Sequence, residues 1–120
     1  MFVYDGEGSD PASGTPSAVV QWLTWVDKQP WRKAFEHGLP DIAKDGKILV
    51  KSGLSARPEN GKLPALFVAA GQAGFMTTQG GKRLAVALYA LNASYPSVAV
   101  GLTKDLSATE FVLKQIQRAS

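Results

Sequence analysis

Residues 65–92, ALFVAAGQAGFMTTQGGKRLAVALYALN, decide the fold that this chain is predicted to adopt. The first half is apolar and contains Gly71 and Gly74, which favours a strand with a bend or bulge over a straight strand. Gln79-Gly80-Gly81-Lys82 is a strong hairpin signal, because glycine accepts the positive φ angles of a primed turn. Residues 83–92 return with apolar side chains at odd and even positions alike, which predicts a central strand covered on both faces.

A shorter apolar run before this hairpin predicts another strand. Ile48-Leu49-Val50 follows the turn residues Asp45-Gly46 and leads into Lys51-Ser52-Gly53, so we place the strand at about residues 47–52. Residues 53–64 hold two prolines, two glycines and an Asn-Gly pair, and we expect a loop there that is too long for a tight hairpin. The Lys51-Ser52-Gly53 strand is predicted to lie beside the hairpin or at its edge.

The segment before the strands predicts two helices. Thr15-Pro16 has the form of a helix start, with Thr15 as the N-cap and Pro16 at the first helical position. Apolar residues then recur at helical spacing and define one face, formed by Val19, Trp22, Leu23 and Val26. Residues 31–37 fit a second, short helix, which Gly38 and Pro40 stop. We expect the three tryptophans, Trp22, Trp25 and Trp31, to pack in a core or an interface.

A final helix is predicted at the end of the chain. Ser107 and Glu110 form a capping box for it, after a short apolar piece at residues 98–102. Its apolar side is formed by Ala108, Val112, Ile116 and Ala119.

These elements predict an α+β fold: an antiparallel sheet of about three strands with N-terminal helices and a covering C-terminal helix. A chain of 120 residues with 45% hydrophobic residues suits one domain or the C-terminal part of one. Within it we expect a loop at 1–15, a helical part at 16–46, the sheet at 47–102 and the last helix at 103–120.

Composition argues against several classes of function. Cysteine is absent and His37 is the one histidine, which disfavours thiolate and multi-histidine metal sites, so no metal and no cofactor is predicted. The spacing of Asp5, Glu7 and Asp10 lacks the pattern of a calcium loop. The net charge of +3 is scattered along the chain, so we predict no nucleic-acid partner. Neither a signal peptide nor an apolar run of membrane-spanning length is present in the sequence.

Lys51-Ser52-Gly53 is the strongest candidate for a binding site. An ammonium attracts a carboxylate, a hydroxyl offers a hydrogen-bond donor, and a glycine lets a substrate backbone approach closely. The competing interpretation is structural: a strand end that runs into a turn, with Lys51 solvated.

From about Tyr4 to Asn92, the chain resembles the C-terminal part of penicillin-binding D-alanyl-D-alanine carboxypeptidases, which belong to the serine transpeptidase and β-lactamase superfamily. The resemblance rests on the order of five features: the Thr15-Pro16 helix, Leu39-Pro40, Asp45-Gly46, Lys51-Ser52-Gly53 and the glycine-bearing hairpin that ends in Asn92. Asp5-Gly6 with Gly8-Ser9 resembles a shortened form of the segment that carries the family's second motif.

The resemblance implies a substrate-binding role for Lys51, Ser52 and Gly53. In the family, the corresponding lysine and hydroxyl recognise the substrate's terminal carboxylate, and the strand backbone binds the peptide or β-lactam. The implied partners are therefore a peptidoglycan stem peptide or a β-lactam, and the implied location is periplasmic or extracytoplasmic. Leu54 stands where the family often places threonine.

The catalytic half of the family's machinery is not in this sequence. No serine is followed three residues later by lysine, so the Ser-x-x-Lys nucleophile motif is absent and no catalytic residue is predicted in this chain. We expect the nucleophile to lie upstream and the chain alone to be inactive. The alternative is a non-catalytic module derived from that fold, which binds a peptide or assembles as a homo-oligomer.

Overall fold

A computed structural model describes residues 1, 14–59 and 62–120 of the chain. The elements, in chain order, are α1 (Pro16–Val26), α2 (Arg32–His37), β1 (Ile48–Glu59), β2 (Lys62–Thr77), β3 (Arg83–Tyr95) and α3 (Val98–Ala119). The strands form one antiparallel sheet in the order β1-β2-β3. The α+β class, the three-stranded sheet and the C-terminal helix are thus confirmed. The predictions made for residues 5–10 lie outside the described residues.

Helix α1 begins as the sequence predicts. The Thr15 hydroxyl accepts a hydrogen bond from the backbone N–H of Ala18 at 3.1 Å, and Pro16 occupies the first turn. Leu23 and Val26 are buried and pack against Phe75 of the sheet, and these three residues form a first apolar cluster. Helices α1 and α2 therefore cover one face of the sheet.

The three tryptophans lie at the surface as edge-to-face pairs. Trp22 contacts Phe35 with ring centroids 5.7 Å apart, and Trp25 contacts Trp31 at 5.9 Å. All three indoles remain between 41% and 53% exposed, so they join α1 to α2 without entering the core.

An ion-pair cluster fastens the same two helices to β3. The Arg83 guanidinium donates to the carboxylates of Asp27 and Glu36, and it lies 4.4 Å from the centroid of the Phe75 ring. The hydrogen bond from Arg83 lowers the pKa of Asp27 below its ordinary value.

The prediction of a loop at residues 53–64 is wrong. Strands β1 and β2 continue to Glu59 and Lys62, so two residues separate them, and these two lie outside the described residues. Their sequence is Asn-Gly, the pair that favours a two-residue hairpin connection. Pro58 does not prevent the strand because β1 is at the sheet edge and the register shifts beside it.

The position predicted for the return strand is also wrong. β3 is an edge strand, as β1 is, and β2 is the central strand. The apolar residues on both faces of β3 have another cause, since α1 contacts one face and α3 the other. Apolar side chains on both faces of a strand indicate that both faces are covered, and they do not indicate whether the strand is central or at an edge.

The glycines of β2 permit close backbone approach and do not mark a bulge. The register runs without interruption past Gly71 and Gly74 on both sides of the strand. A Cβ atom at Gly74 would lie 2.1 Å from the carbonyl oxygen of Leu49, and one at Gly71 would lie 2.6 Å from that of Leu88. The predicted turn at residues 79–82 is confirmed, with Gly81 at a φ of 83°.

Helix α3 covers the second face of the sheet, but it starts earlier than predicted. Ser97 is its N-cap, with its hydroxyl accepting from the N–H of Val100 at 3.2 Å, so residues 98–102 are helical and Ser107 is not a cap. The sheet correspondingly ends at Tyr95.

The face that α3 turns to the sheet is mostly polar. Its buried residues recur every four positions: Gly101, Asp105, Thr109, Leu113 and Gln117. Hydrogen bonds hold it there, since the Gln72 amide donates to the Thr109 hydroxyl at 2.7 Å and the Gln117 amide donates to the Thr77 carbonyl at 3.3 Å. Leu113 joins the second apolar cluster with Ile48, Val50, Met76 and Val86. The side predicted from apolar residues faces away from the sheet: Ala108, Val112, Ile116 and Ala119 are all exposed.

Candidate functional site: the edge cleft at Lys51-Ser52-Gly53

The outer edge of β1 is covered in its first part. The N–H of Ile42 donates to the Ile48 carbonyl at 3.1 Å, and the N–H of Val50 donates to the Pro40 carbonyl at 3.0 Å. The Asp41 carboxylate fixes the loop that follows, because it accepts from the N–H groups of Ala43, Lys44 and Gly46 at 2.7–3.2 Å. Residues 40–42 therefore act as a short extra strand segment beside Ile48–Val50.

This cover stops where the Lys51-Ser52-Gly53 motif begins. Ile48 and Val50 direct their backbone groups outward, and in a β-strand alternate residues share that direction. Ser52 and Leu54 therefore also direct their N–H and C=O groups to the outer edge. Among the described residues, the group that bonds to them is the Lys51 ammonium, which donates to the Ser52 carbonyl at 2.8 Å. The motif thus lies on a stretch of edge that is open to an extended ligand.

A cleft of about 260 Å³ lies beside this edge, between β1 and α3. Its lining residues are Lys51, Ser52, Gly53, Leu54, Ala70, Leu102, Asp105 and Leu106. The structure thus brings the three predicted binding residues to one concave site. Sequence reasoning missed the α3 wall of this site.

The lysine and the serine of the motif start from opposite faces of the strand. Ser52 shares its face with Ile48 and Val50, which pack against Leu113 of α3. Lys51 belongs to the other face, and its exposed side chain folds back so that the ammonium reaches the backbone of Ser52 at the edge. The hydroxyl and the ammonium therefore flank the same edge segment.

Gly53 is not required by packing within the described residues. A Cβ atom there would have no neighbour within 4 Å, in contrast to Gly71 and Gly74. The space beside Gly53 is therefore available to a ligand, as the substrate-approach interpretation of this glycine expects.

Asp105 is the functional candidate that the sequence did not reveal. It is 5% exposed and lines the cleft from α3. Its Oδ1 accepts from the Tyr95 hydroxyl at 2.6 Å, whereas its Oδ2 is buried and has no hydrogen-bond partner among the described residues. The bond to this carboxylate raises the pKa of the Tyr95 phenol, because deprotonation would destroy it. Residues 101, 105, 109, 113 and 117 form this face of α3, and they share no apolar character that would mark the face in the sequence.

Comparison with known proteins adds no relative to these observations. No known protein family, no curated protein and no solved structure matches the chain. None of the described helices is both long enough and apolar enough to cross a membrane. The described residues contain no group of three or more histidine, cysteine, aspartate or glutamate side chains that could hold a metal ion.

Proposed function

We propose that this chain is the C-terminal segment of a serine-type D-Ala-D-Ala carboxypeptidase that acts on peptidoglycan stem peptides. The observation that carries the proposal is the position of Lys51-Ser52-Gly53 on a described stretch of the β1 edge that residues 40–42 leave open. A substrate-binding strand needs such an edge, since an extended peptide binds by adding a strand to it.

In this proposal each group of the motif has one task. The outward N–H and C=O groups of Ser52 and Leu54 pair with the peptide backbone, and Gly53 leaves room for it. The Ser52 hydroxyl and the Lys51 ammonium bind the terminal carboxylate, a charge-assisted contact of the stronger kind. On entry of the peptide, Lys51 exchanges its bond to the Ser52 carbonyl for a bond to the carboxylate.

The bond-breaking step is assigned to residues outside these 120. The sequence has no Ser-x-x-Lys, and a hydroxyl without an activating base is a weak nucleophile. The parent enzyme would form an acyl-enzyme with its substrate and with β-lactams, and it would work at the cell wall, in the periplasm or outside the cytoplasm.

Binding of N-acetyl-D-Ala-D-Ala to the isotope-labelled chain tests this proposal. We expect the peptide to shift the backbone amide resonances of Ser52, Gly53 and Leu54, and we expect Lys51→Ala to weaken binding at least fivefold. Lys28→Ala, which removes an exposed lysine on α1's side of the sheet, is the matched control and should bind as the wild type does. A fluorescent penicillin should leave the chain unlabelled. Covalent labelling, or a peptide that shifts none of these amides, contradicts the proposal.

A second function is favoured by the outward side of α3. Phe111 is 64% exposed, and Val112 and Ile116, which are neighbours one helical turn apart, are 39% and 37% exposed. We propose, as the alternative, a non-catalytic module that self-associates through this surface. Sedimentation velocity over a range of concentrations tests it: a dimer that Phe111→Ser dissociates supports the module, and a monomer at every concentration excludes it.

A further inference from the structure

The α3 wall of the cleft holds a polar atom with no partner. Asp105 is 5% exposed, and Tyr95 satisfies Oδ1 while Oδ2 remains unpaired among the described residues. A buried carboxylate oxygen left in this way carries a desolvation cost that a bound donor would remove. The atom therefore points to a ligand that supplies an N–H donor or a positive charge.

The hydrogen bond from Tyr95 uses one oxygen of Asp105 and leaves the other oxygen as the acceptor for a ligand. The phenol donates to Oδ1 at 2.6 Å, and this hydrogen bond raises the pKa of Tyr95 above its ordinary value. Oδ2 is consequently free to accept from a third group. A carboxylate attracts an ammonium more strongly than it attracts a neutral amide.

The opposite wall of the cleft has the complementary chemistry. Lys51 and Ser52 provide an ammonium and a hydroxyl, the pair to which the proposed function assigns a carboxylate. The residues that line the cleft thus include a cationic residue on β1 and an acidic residue on α3. Its volume of about 260 Å³ is below that of pockets for drug-sized ligands, so the ligand is small.

We propose that this cleft binds a free α-amino acid as a zwitterion, with its ammonium at Asp105 and its carboxylate at Lys51 and Ser52. The inference rests on the proposed function for its carboxylate half and on the unpaired Oδ2 for its ammonium half. Hydrolysis of a terminal peptide bond adds hydroxide to the carbonyl carbon and a proton to the leaving nitrogen, and thereby releases a ligand of this class. The cleft is then the site that holds the released amino acid.

Three small probes separate the two halves of the site. D-Alanine carries both charges, propionate lacks the ammonium, and D-alaninamide lacks the carboxylate. Each is titrated into the labelled 120-residue chain, with the amide resonances of Ser52–Leu54 and Leu102–Leu106 reporting the two walls. We expect D-alanine to shift both sets with saturation, and we expect propionate and D-alaninamide to bind at least tenfold more weakly.

One variant tests whether Asp105 binds the ammonium of D-alanine. Asp105→Asn keeps the shape and an oxygen for Tyr95, but it replaces the acceptor Oδ2 by a donor. Its affinity for D-alanine should fall at least tenfold, to the level of propionate, and its affinity for propionate should not fall. Glu110→Gln makes the same change of charge on α3 outside the cleft lining, and it should bind D-alanine as the wild type does.

The possible failures identify which half is wrong. Equal binding of D-alanine and propionate to the wild-type chain overturns the ammonium site at Asp105 and leaves the proposed carboxylate site intact. Equal binding of D-alanine and D-alaninamide overturns the carboxylate role of Lys51 and Ser52, and with it the proposed function, while Asp105 keeps its role. Absence of saturable shifts with all three probes overturns both. The wild-type comparison needs no variant to fold.

Discussion

Gly74 and Gly53 offer a test that separates the sheet from the site. At Gly74, an added Cβ would lie 2.1 Å from the Leu49 carbonyl oxygen and 2.9 Å from the Val50 Cα, whereas real Cβ atoms essentially never approach closer than 3.0 Å. Both neighbours are backbone atoms of β1, so no side chain can rotate away to relieve the contact. Gly74→Ala must therefore push β1 and β2 apart by nearly 1 Å at the centre of the sheet.

The cost of that displacement follows from the contacts it disturbs. Overpacking a filled interior costs roughly 1–3 kcal/mol. Weakening a ladder hydrogen bond adds about 1 kcal/mol for each bond affected. We expect Gly74→Ala to lower the free energy of unfolding by on the order of 3 kcal/mol. With a urea m-value of about 1.5 kcal/mol/M, the midpoint of unfolding falls by about 2 M.

Gly53→Ala is the matched control in the same sheet. No described residue lies within 4 Å of its added Cβ, so the midpoint should stay within about 0.5 M of the wild type, while N-acetyl-D-Ala-D-Ala binding falls. Urea unfolding followed by circular dichroism measures both variants. A Gly74→Ala midpoint equal to that of the wild type would refute the close-approach argument. Unchanged peptide binding by Gly53→Ala would refute the role given to this glycine.

Other perturbations give distinct signatures in the same unfolding assay. Thr109→Val leaves the buried Gln72 amide without its acceptor and should cost about 1–3 kcal/mol, and adding Gln72→Leu should recover part of that loss. Arg83 lowers the pKa of Asp27 in the folded chain, so the ionised carboxylate stabilises the fold at every pH above the pKa that Asp27 has in the unfolded chain. This stabilisation is lost as the pH falls through the lower pKa of the folded chain. Asp27→Asn should therefore destabilise the chain by about 1 kcal/mol at pH 7 and by much less at pH 2, a difference that thermal melts at the two pH values measure. Thr15→Ala removes the N-cap of α1 and should cost about 1 kcal/mol, whereas an unchanged midpoint would show that the cap contributes nothing.

Features fixed by local chemistry could be predicted from the sequence. The α1 start depends on the Thr15 side chain and the Pro16 ring, and the turn at residues 79–82 depends on the conformational freedom of glycine. Both are determined within a few residues, so tertiary contacts did not overturn them. The Asn-Gly pair carried a comparable hairpin signal, but the neighbouring prolines obscured it.

Features fixed by partners distant in the sequence could not be predicted in the same way. The strand order depends on which strands pair, and apolar periodicity does not report that. The buried face of α3 was missed because Thr109 and Gln117 bond to Gln72 and Thr77, which lie about 40 positions earlier. Polar residues that satisfy one another across elements look like a solvated face in the sequence. Asp105 was missed for the same reason.

The boundary of the candidate site has a local cause in the segment before β1. Residues 42, 41 and 40 run antiparallel to residues 48, 49 and 50, so continued pairing would bring Leu39 and Gly38 opposite Lys51 and Ser52. The backbone N–H groups of Leu39 and Gly38 already have other partners at the end of α2. The N–H of Gly38 donates to the Phe35 carbonyl, and the N–H of Leu39 donates to the Glu36 carbonyl. Pro40 has no N–H to contribute. The end of a helix and one proline therefore stop the covering segment at Val50, which leaves the edge open at the residues that carry the ammonium and the hydroxyl.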